Sequence, residues 1–438
     1  MYRLAIIGFG VVGQGLAEIL LKNGGRLKKD YGFDASVVAV SDFNKGSAYD
    51  PKGLDLARLL ELAKTGKISE YPGARTGWDA IDTIKNSNAD VIVEATYTNI
   101  QTGEPAFSHF RTALEAGKHV VTTNKGPTAL FFRELASLAK QKKVHFRYEG
   151  TVMSGTPVLD FAELCLMGNE IKELRGIMNG TTNFILSNME KGKSYADALR
   201  EAQELGFAEA VPDADVEGFD AMAKVIILAK AVMGADITVA DVERTGITKI
   251  TLADIEAAKA EGKRWKLIGR VVREGTGVRA SVKPEKLDLA EPLAGVMGAT
   301  NAITLRTELL GNVTIVGPGA GKIETGYSLL ADLLIIHRLR SEEARGTAAA
   351  ARVKAAAPRR AAKAARKAAR KTAKKASKRP ARKAPQKAKR AAKKAARRPV
   401  KKAAKKAVRK AAKRSKASVR RPSKRVKKAA RRARKARR

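Results

Sequence analysis

Acidic residues stop at Glu343. The 95 residues that follow, 344–438, hold 44 of the chain's 86 Lys and Arg and none of its 44 Asp and Glu. They are Lys, Arg and Ala with scattered prolines (Pro358, Pro380, Pro385, Pro399, Pro422), and the last aromatic residue is Tyr327. Like charges at this density repel, and without large apolar side chains no core can close. The expectation for 344–438 is a disordered basic tail, with transient helix between prolines because Ala and Lys favour helix locally. Any fold must be built by residues 1–343, where 42 Lys and Arg face 44 Asp and Glu. The formal net charge of +42 therefore describes neither part of the chain.

The first part alternates short apolar runs with helical patterns. Tyr2–Ile7, Ser36–Ser41, Asp90–Ala95, Lys118–Thr123 and Val144–Tyr148 read as strands. Runs that are apolar throughout suit strands buried on both faces of a parallel sheet. Gln14–Lys22 carries a helical apolar stripe, and Phe107–Ala116 is a helix closed by Gly117. The alternation implies βαβ units with right-handed crossovers. Directly after the first strand stands Gly8-Phe9-Gly10-Val11-Val12-Gly13. In such a turn Gly8 makes the bend, Gly10 lets a pyrophosphate approach the backbone, and Gly13 lets helix and strand pack closely. The helix N-terminus adds free N–H groups and partial positive charge. The fold class is thus α/β: a Rossmann-type, doubly wound parallel sheet for a dinucleotide over residues 1–150.

From residue 151 the texture changes. A helix near Pro157–Met167 is followed by a strand pattern at Glu173–Met178 and helices at Thr182–Glu190, Ser194–Leu205 and Asp220–Met233. Strand-like stretches recur at Leu267–Arg273, Val278–Val282, Ala302–Thr307 and Asn312–Val316. Residues 151–316 read as an α+β domain with its own sheet, for substrate binding, catalysis and dimerisation. Gly317-Pro-Gly319-Ala-Gly321 leads into an apolar helix, Thr325–Leu339, and 317–343 is expected to return to the cofactor domain.

Asp42 ends the second strand, where an acidic side chain holds the ribose 2′-hydroxyl of NAD and a nearby cation would accept the 2′-phosphate of NADP. Lys45 and Lys52 follow in the loop, so the residues leave NAD and NADP both open. Farther along, Asp220 and Lys224 are four apart and share a helix face. On a surface such a pair contributes little. But Val225-Ile-Ile-Leu-Ala229 follows, so this helix is largely buried. A buried lysine is costly unless paired, which marks Lys224 as a functional candidate.

Several blocks together resemble the homoserine dehydrogenase family. They are the glycine turn at 8–13, Thr123-Asn-Lys-Gly-Pro127, Gly176-Ile-Met-Asn-Gly-Thr-Thr-Asn183, Gly206-Phe-Ala-Glu-Ala210, Asp213-x-Asp215-Val-Glu-Gly-Phe-Asp220-x-x-x-Lys224, and Gly317-Pro-Gly-Ala-Gly321. They fall in the family's order across residues 1–340. The resemblance implies interconversion of L-homoserine and L-aspartate 4-semialdehyde by hydride transfer, in threonine and methionine biosynthesis, and it leans towards NADP. It implies Lys224 as the proton-transfer residue and Lys125 as a second lysine beside the nicotinamide. Glu209, Asp215 and Asp220 would hold the substrate ammonium, Thr96 would face the nicotinamide side, and Gly317, Gly319 and Gly321 would cover the cofactor. Glu149-Gly-Thr-Val-Met-Ser-Gly-Thr156 resembles the family's monovalent-cation loop, with Glu149, Val152, Ser154 and Thr156 as ligands; a structural turn is an equal reading. This loop and Ala95–Ile100 depart from the commonest family pattern. A homodimer through the second domain is also expected.

Cys165 is the only cysteine, which excludes an intrachain disulfide and fits a reducing, cytoplasmic setting. Within Phe161–Met167 it is expected to pack as a core residue. That placement argues against aspartate-semialdehyde dehydrogenase, which needs a cysteine nucleophile with a base beside it. No apolar run reaches the ~18 residues of a membrane span, and no secretory leader is read at the start. With the globular part ending near 343, no appended regulatory domain is expected. The tail resembles Lys- and Ala-rich tails of linker-histone-like bacterial proteins. It would attract DNA or RNA by releasing counterions, without base readout because it has no aromatics to stack. The rival reading is a histone-like nucleic-acid-binding protein whose dehydrogenase domain is vestigial or a cofactor sensor. The presence of Lys125, Glu209, Asp215, Asp220 and Lys224 together favours the enzyme.

Overall fold

The computed structural model describes residues 1–376, in a unit of Met1–Ala355 and a second that begins at Ala356. The first sheet is built from β1 (Tyr2–Ile7), β2 (Ala35–Asp42), β3 (Gly46–Tyr49), β4 (Val91–Glu94), β5 (His119–Thr122) and β6 (Phe146–Arg147), in the order β3-β2-β1-β4-β5-β6. All neighbours are parallel except β3, an antiparallel edge on β2. The chain runs outward from β1 through β2, then returns to continue on the other side with β4. The crevice at the carboxyl ends of β1 and β4 is therefore the topological switch point where ligands bind.

Helix α1 (Val11–Tyr31) is longer than its apolar stripe suggests and passes through Gly24 and Gly25. Leu27 is buried in its last turns, and Gly32 closes the helix in the left-handed region, its N–H donating to the carbonyls of Leu27 and Lys28. The sequence reading missed α5 (Lys125–Leu130), α6 (Phe132–Lys142), α10 (Asp213–Val216), α12 (Leu252–Ala260) and, close to the glycine turn in sequence, β3, α2 (Leu56–Lys64) and α3 (Ala80–Asn86). β3 is a short edge without an apolar run. Helices α2 and α3 did carry a signal, since Asp55 and Asp79 cap them by accepting from the backbone N–H groups of Arg58 and Asp82.

The second sheet comprises β7 (Ile171–Ile177), β8 (Val242–Arg244), β9 (Lys263–Glu274), β10 (Gly277–Asp288), β11 (Thr300–Thr307) and β12 (Gly311–Pro318), in the order β12-β11-β7-β9-β10-β8. One face is covered by α8 (Gly180–Met189) and α11 (Phe219–Ala231). Leu174, Val271, Ile303 and Leu305 of the sheet join Ile185, Ile226 and Leu228 of these helices in one core. Every residue of α11 from Ala221 to Lys230 is buried, as its uninterrupted apolar run requires.

Helix α13 (Lys322–Ala376) first packs back on the cofactor domain, where Leu329, Leu330, Leu333 and Ile336 share a core with Leu16, Leu20 and Phe33. The approach is close: a Cβ on Gly326 would lie 2.7 Å from the backbone carbon of Gly15, so only glycine fits. The helix then continues to Ala376, where disorder was expected from 344 onward; Ala, Lys and Arg are strong helix formers. The rest of the expected disordered tail, 377–438, lies outside the described residues. A second correction concerns Cys165. α7 (Val158–Asp160) passes into a π-turn, Phe161–Cys165, which buries Ala162 and Leu166 and leaves Cys165 exposed rather than in the core.

Candidate active site

The glycine turn brings three chain segments together. Gly8, at φ +87°, donates its N–H to Ser41 O and lies against β4: a Cβ there would sit 2.6 Å from the carbonyl carbon of Ala95. At Gly13 a Cβ would fall 2.5 Å from Gly8 O, whereas at Gly10 it would meet nothing within 4 Å. Gly10 thus opens onto space that suits a phosphate group. The N–H groups of Val11, Val12 and Gly13 find no acceptor among the described residues, which leaves the first turn of α1 with free donors. Phe9 is fully buried and its N–H binds Asp42 Oδ2 at 2.8 Å. Asp42 Oδ1 accepts from the N–H groups of Asn44 (3.1 Å) and Lys45 (3.0 Å), with Lys45 Nζ 3.4 Å away.

Of these residues Asp42 also lines a cleft of about 870 Å³ that runs past Ser47, Trp78 and Asp79 to Thr96 and His109. Among the described residues no Lys or Arg lines it. The glycine turn, the unpaired amides and the anchored Asp42 fit a dinucleotide.

A second cleft, about 760 Å³, lies where the carboxyl edge of the first sheet meets the second domain. Asn124 caps α5 (Lys125–Leu130) by accepting from Gly126 N–H at 3.2 Å, and its Nδ2 donates to Tyr97 O at 2.9 Å. Lys125 is thereby placed at the cleft. Its Nζ lies 3.4 Å from Asp220 Oδ1. Lys224 Nζ donates to Asp220 Oδ2 at 2.7 Å and to Met178 O at 2.6 Å. An ammonium has three donors, so one N–H of Lys224 is left for a substrate oxygen.

Asn179 had no role assigned from sequence, although it lies within Gly176–Asn183. It caps α8 through its Oδ1, while its Nδ2 donates to Asp215 Oδ1 at 2.6 Å and Asp220 Oδ2 at 3.0 Å. Burial alone would raise the Asp220 carboxyl, but Lys224 and Lys125 hold it well below the usual carboxylate range. Asp215 is pushed up, first by burial and then by the Asp220 charge. No cation lies within ion-pair distance of Asp215 among the described residues, so the cleft has a carboxylate in need of one.

Gly317, Gly319 and Gly321 line this cleft too, and Gly319 lies so close to Asn301 that a Cβ would fall 2.2 Å from its Nδ2. Glu209 is the exception among the expected residues. It is exposed on the loop after α9 (Tyr195–Glu204) and does not line the cleft, although Leu205, Gly206 and Phe207 of that loop do. Cys165 lines neither cleft.

The expected cation loop is tightly turned, with Met153 and Ser154 at φ +58° and +55°. The Glu149 carboxylate faces away from this turn and caps α7, accepting from the N–H groups of Leu159 (3.0 Å) and Asp160 (2.6 Å). Burial, with Asp160 and Asp332 adding to it, pushes its carboxyl up to about 8. Both oxygens of the Glu149 carboxylate, expected from sequence as a cation ligand, are thus engaged with the start of α7. Ser154 Oγ is 2.7 Å from Thr325 Oγ1, and Thr156 Oγ1 donates to Pro318 O. The carbonyls of Val152 and Ser154 accept no hydrogen bond among the described residues, which suits carbonyl ligation of a hard cation.

Comparison with known proteins agrees with this geometry. The family model described as homoserine dehydrogenase, NAD binding domain, matches residues 8–149, and that described as homoserine dehydrogenase matches 157–334. The chain is 48% identical over 341 residues to the NAD(+)-dependent homoserine dehydrogenase of Pseudomonas canavaninivorans, covering 77% of this chain and 96% of that one. It is 43% identical over 336 residues to the homoserine dehydrogenase of Methanocaldococcus jannaschii, covering 76% and 98%. A crystal structure of a homoserine dehydrogenase from Thiobacillus denitrificans superposes with a TM-score of 0.68 at 31% identity, over 78% of this chain and 74% of that one. A hyperthermophilic archaeal homoserine dehydrogenase in complex with NADPH gives 0.66 at 31%, over 76% and 96%. Fold, clefts and matches define an NAD(P)-dependent oxidoreductase acting on a hydroxyl group. The chain belongs to the homoserine dehydrogenase family.

Proposed function

We propose that the cleft around Asp220 interconverts L-homoserine and L-aspartate 4-semialdehyde. The observation that carries this reading is one carboxylate, Asp220, holding two lysines, with the unpaired Asp215 beside it. In the reducing direction the Lys224 ammonium gives a proton to the aldehyde oxygen and is left as the neutral amine; in the oxidising direction that amine takes the hydroxyl proton and becomes the ammonium. Lys125, at the sheet edge between the two clefts, stabilises charge on the reacting oxygen. The substrate ammonium is assigned to Asp215 and Asp220, since Glu209 stands outside the cleft. The bound nicotinamide supplies hydride acceptance or donation. Gly8–Gly13 would hold its pyrophosphate, Asp42 its adenosine ribose, and Thr96 with Gly317–Gly321 the nicotinamide half.

NAD is the preferred cofactor in this reading. A 2′-phosphate at Asp42 would meet a fixed carboxylate whose nearest cation, Lys45, is already paired with it, while Lys52 is exposed and does not line the cleft. The Pseudomonas relative is described as NAD(+)-dependent. Homoserine-dependent reduction should therefore run at least ~10-fold faster in kcat/KM with NAD than with NADP, since like charges placed together are strongly disfavoured. Reduction of neither cofactor would sink the functional reading; a preference for NADP would sink only this choice.

A monovalent cation would be held by the carbonyls of Val152 and Ser154, with those of Glu149 and Thr156 beside them. A homodimer would form through the sheet face of the second domain opposite α8 and α11. There Glu173 binds Arg270 and Arg306 in a charged ladder, and among the described residues no helix makes extensive contact with this face. A potassium titration of the melting temperature and sedimentation equilibrium of the full chain test the two.

The basic tail lies beyond the residues matched by the family models, which end at 334. Its assigned partner is DNA or RNA, bound without sequence preference and strongly weakened by salt. Deleting residues 345–438 should abolish the gel shift of a DNA duplex while homoserine oxidation persists. Equal affinity with and without the tail would refute the assignment.

A further inference from the structure

Glu94 is fully buried at the carboxyl end of β4, directly beneath the cofactor cleft. Among the described residues its one possible cationic partner is His109, whose Nδ1 lies 3.3 Å from Glu94 Oε1. The same Oε1 accepts the hydroxyl of Thr96, and Oε2 lies 3.4 Å from Thr122 Oγ1. Both His109 and Thr96 line the cleft.

A threonine hydroxyl has one proton and two lone pairs, and an ionised carboxylate only accepts. The proton of Thr96 is therefore committed to Glu94. The Thr122 hydroxyl is turned to Glu94 O at 2.9 Å. Asn124 Nδ2 makes its shorter contacts with the carbonyls of Tyr97 and Thr96, 2.9 and 3.3 Å, against 3.5 Å to Thr96 Oγ1. What Thr96 presents to the cleft is an oxygen that can only accept.

We infer that Glu94 is a positioning residue that fixes Thr96 Oγ1 as an obligate acceptor for an N–H or O–H donor of the bound nucleotide, such as its carboxamide or a ribose hydroxyl. The inference rests on the cofactor assignment made above. His109, carried on α4 (Ala106–Glu115), supports the buried carboxylate from the other side. The bland alternative is a buried carboxylate that merely ties β4 to α4.

The isosteric change Glu94→Gln separates the two. A glutamine amide can donate where the carboxylate accepts, which frees the Thr96 proton to turn into the cleft and clash with a donor. The full-length protein is titrated with NAD by calorimetry, with the fluorescence of Trp78 in the cleft as a second readout. Thermal melts are run in parallel. The expected result is that E94Q binds NAD about tenfold more weakly at an unchanged melting temperature, as loss of a charge-assisted hydrogen-bond array implies. Thr96→Val should weaken binding in the same way, and Thr96→Ser, which keeps the hydroxyl, should bind like the parent.

Parent-like binding by E94Q or T96V overturns the inference, as does a loss of binding that tracks a loss of melting temperature. If E94Q does not fold, the valine–serine pair decides by itself. Homoserine oxidation by the parent protein reports separately on the reaction. Intact NAD binding without turnover would sink the proposed function and leave this inference to be judged on the variants.

Discussion

Replacing Lys224 with methionine should lower kcat by about three orders of magnitude and leave NAD affinity close to that of the parent. Lys224 is buried, and its ammonium is fixed by Met178 O and Asp220 with one N–H left over. A positioned proton-transfer group contributes roughly 10²–10⁴-fold, and the larger part of that range applies when no other group can take over. Lys125 is the nearest other candidate, but its Nζ is on the far oxygen of Asp220. Methionine keeps most of the buried aliphatic stem, but the change also breaks the Lys224–Asp220 pair, so a thermal melt run beside the kinetics separates lost chemistry from lost stability. Steady-state kinetics with homoserine and NAD, beside a binding titration, give the answer. A kcat within tenfold of the parent would remove Lys224 from the chemistry.

Asp220→Ala should damage both activity and stability. The change leaves Lys125 and Lys224 without their shared counter-charge, and Asn179 Nδ2 loses one of its two acceptors. Breaking a buried ion pair costs about 3–5 kcal/mol, and the lower end applies here because the Asp220 side chain retains 16% exposure. The effect depends on pH in a defined direction. The folded-state carboxyl is held below the ordinary aspartate value of 3.8 by Lys224 and Lys125. Its stabilisation is therefore fully present above that value and is lost as pH falls through the folded one. Urea unfolding should show a large deficit at neutral pH that shrinks towards pH 3. A deficit independent of pH would mean that packing, not charge, is at stake. Asp220→Asn, which keeps the shape and a hydrogen-bond acceptor, should fall between the two.

Where the site was legible in sequence, the information was local. The glycine turn at 8–13 sits between one strand and one helix, and its three glycines are distinguished by close neighbours at Gly8 and Gly13 and by open space at Gly10. Asp220 and Lys224 meet because a helix places residues four apart on one face. The buried strands β1, β2, β4 and β5 were visible as apolar runs, while β3, an edge strand with no such run, was not. Cys165 was misplaced because a π-turn alters which side of a helical stretch faces the core, and a regular 3.6-residue period cannot anticipate that.

The division into a near-neutral folding part and a polycationic tail, the βαβ order, the dinucleotide turn and the Asp220–Lys224 pair could all be read along the chain. Each of these depends on composition, periodicity or hydrogen bonds between near neighbours. Packing in three dimensions brought Lys125 from the first sheet to Asp220 of the second domain, and set Asn179 between Asp215 and Asp220. It also turned Glu149 onto the start of α7, left Glu209 outside the cleft and set Glu94 under Thr96. Those outcomes follow from how two sheets and their helices pack, which fixes distances between residues far apart in the chain and leaves no periodic trace in either segment.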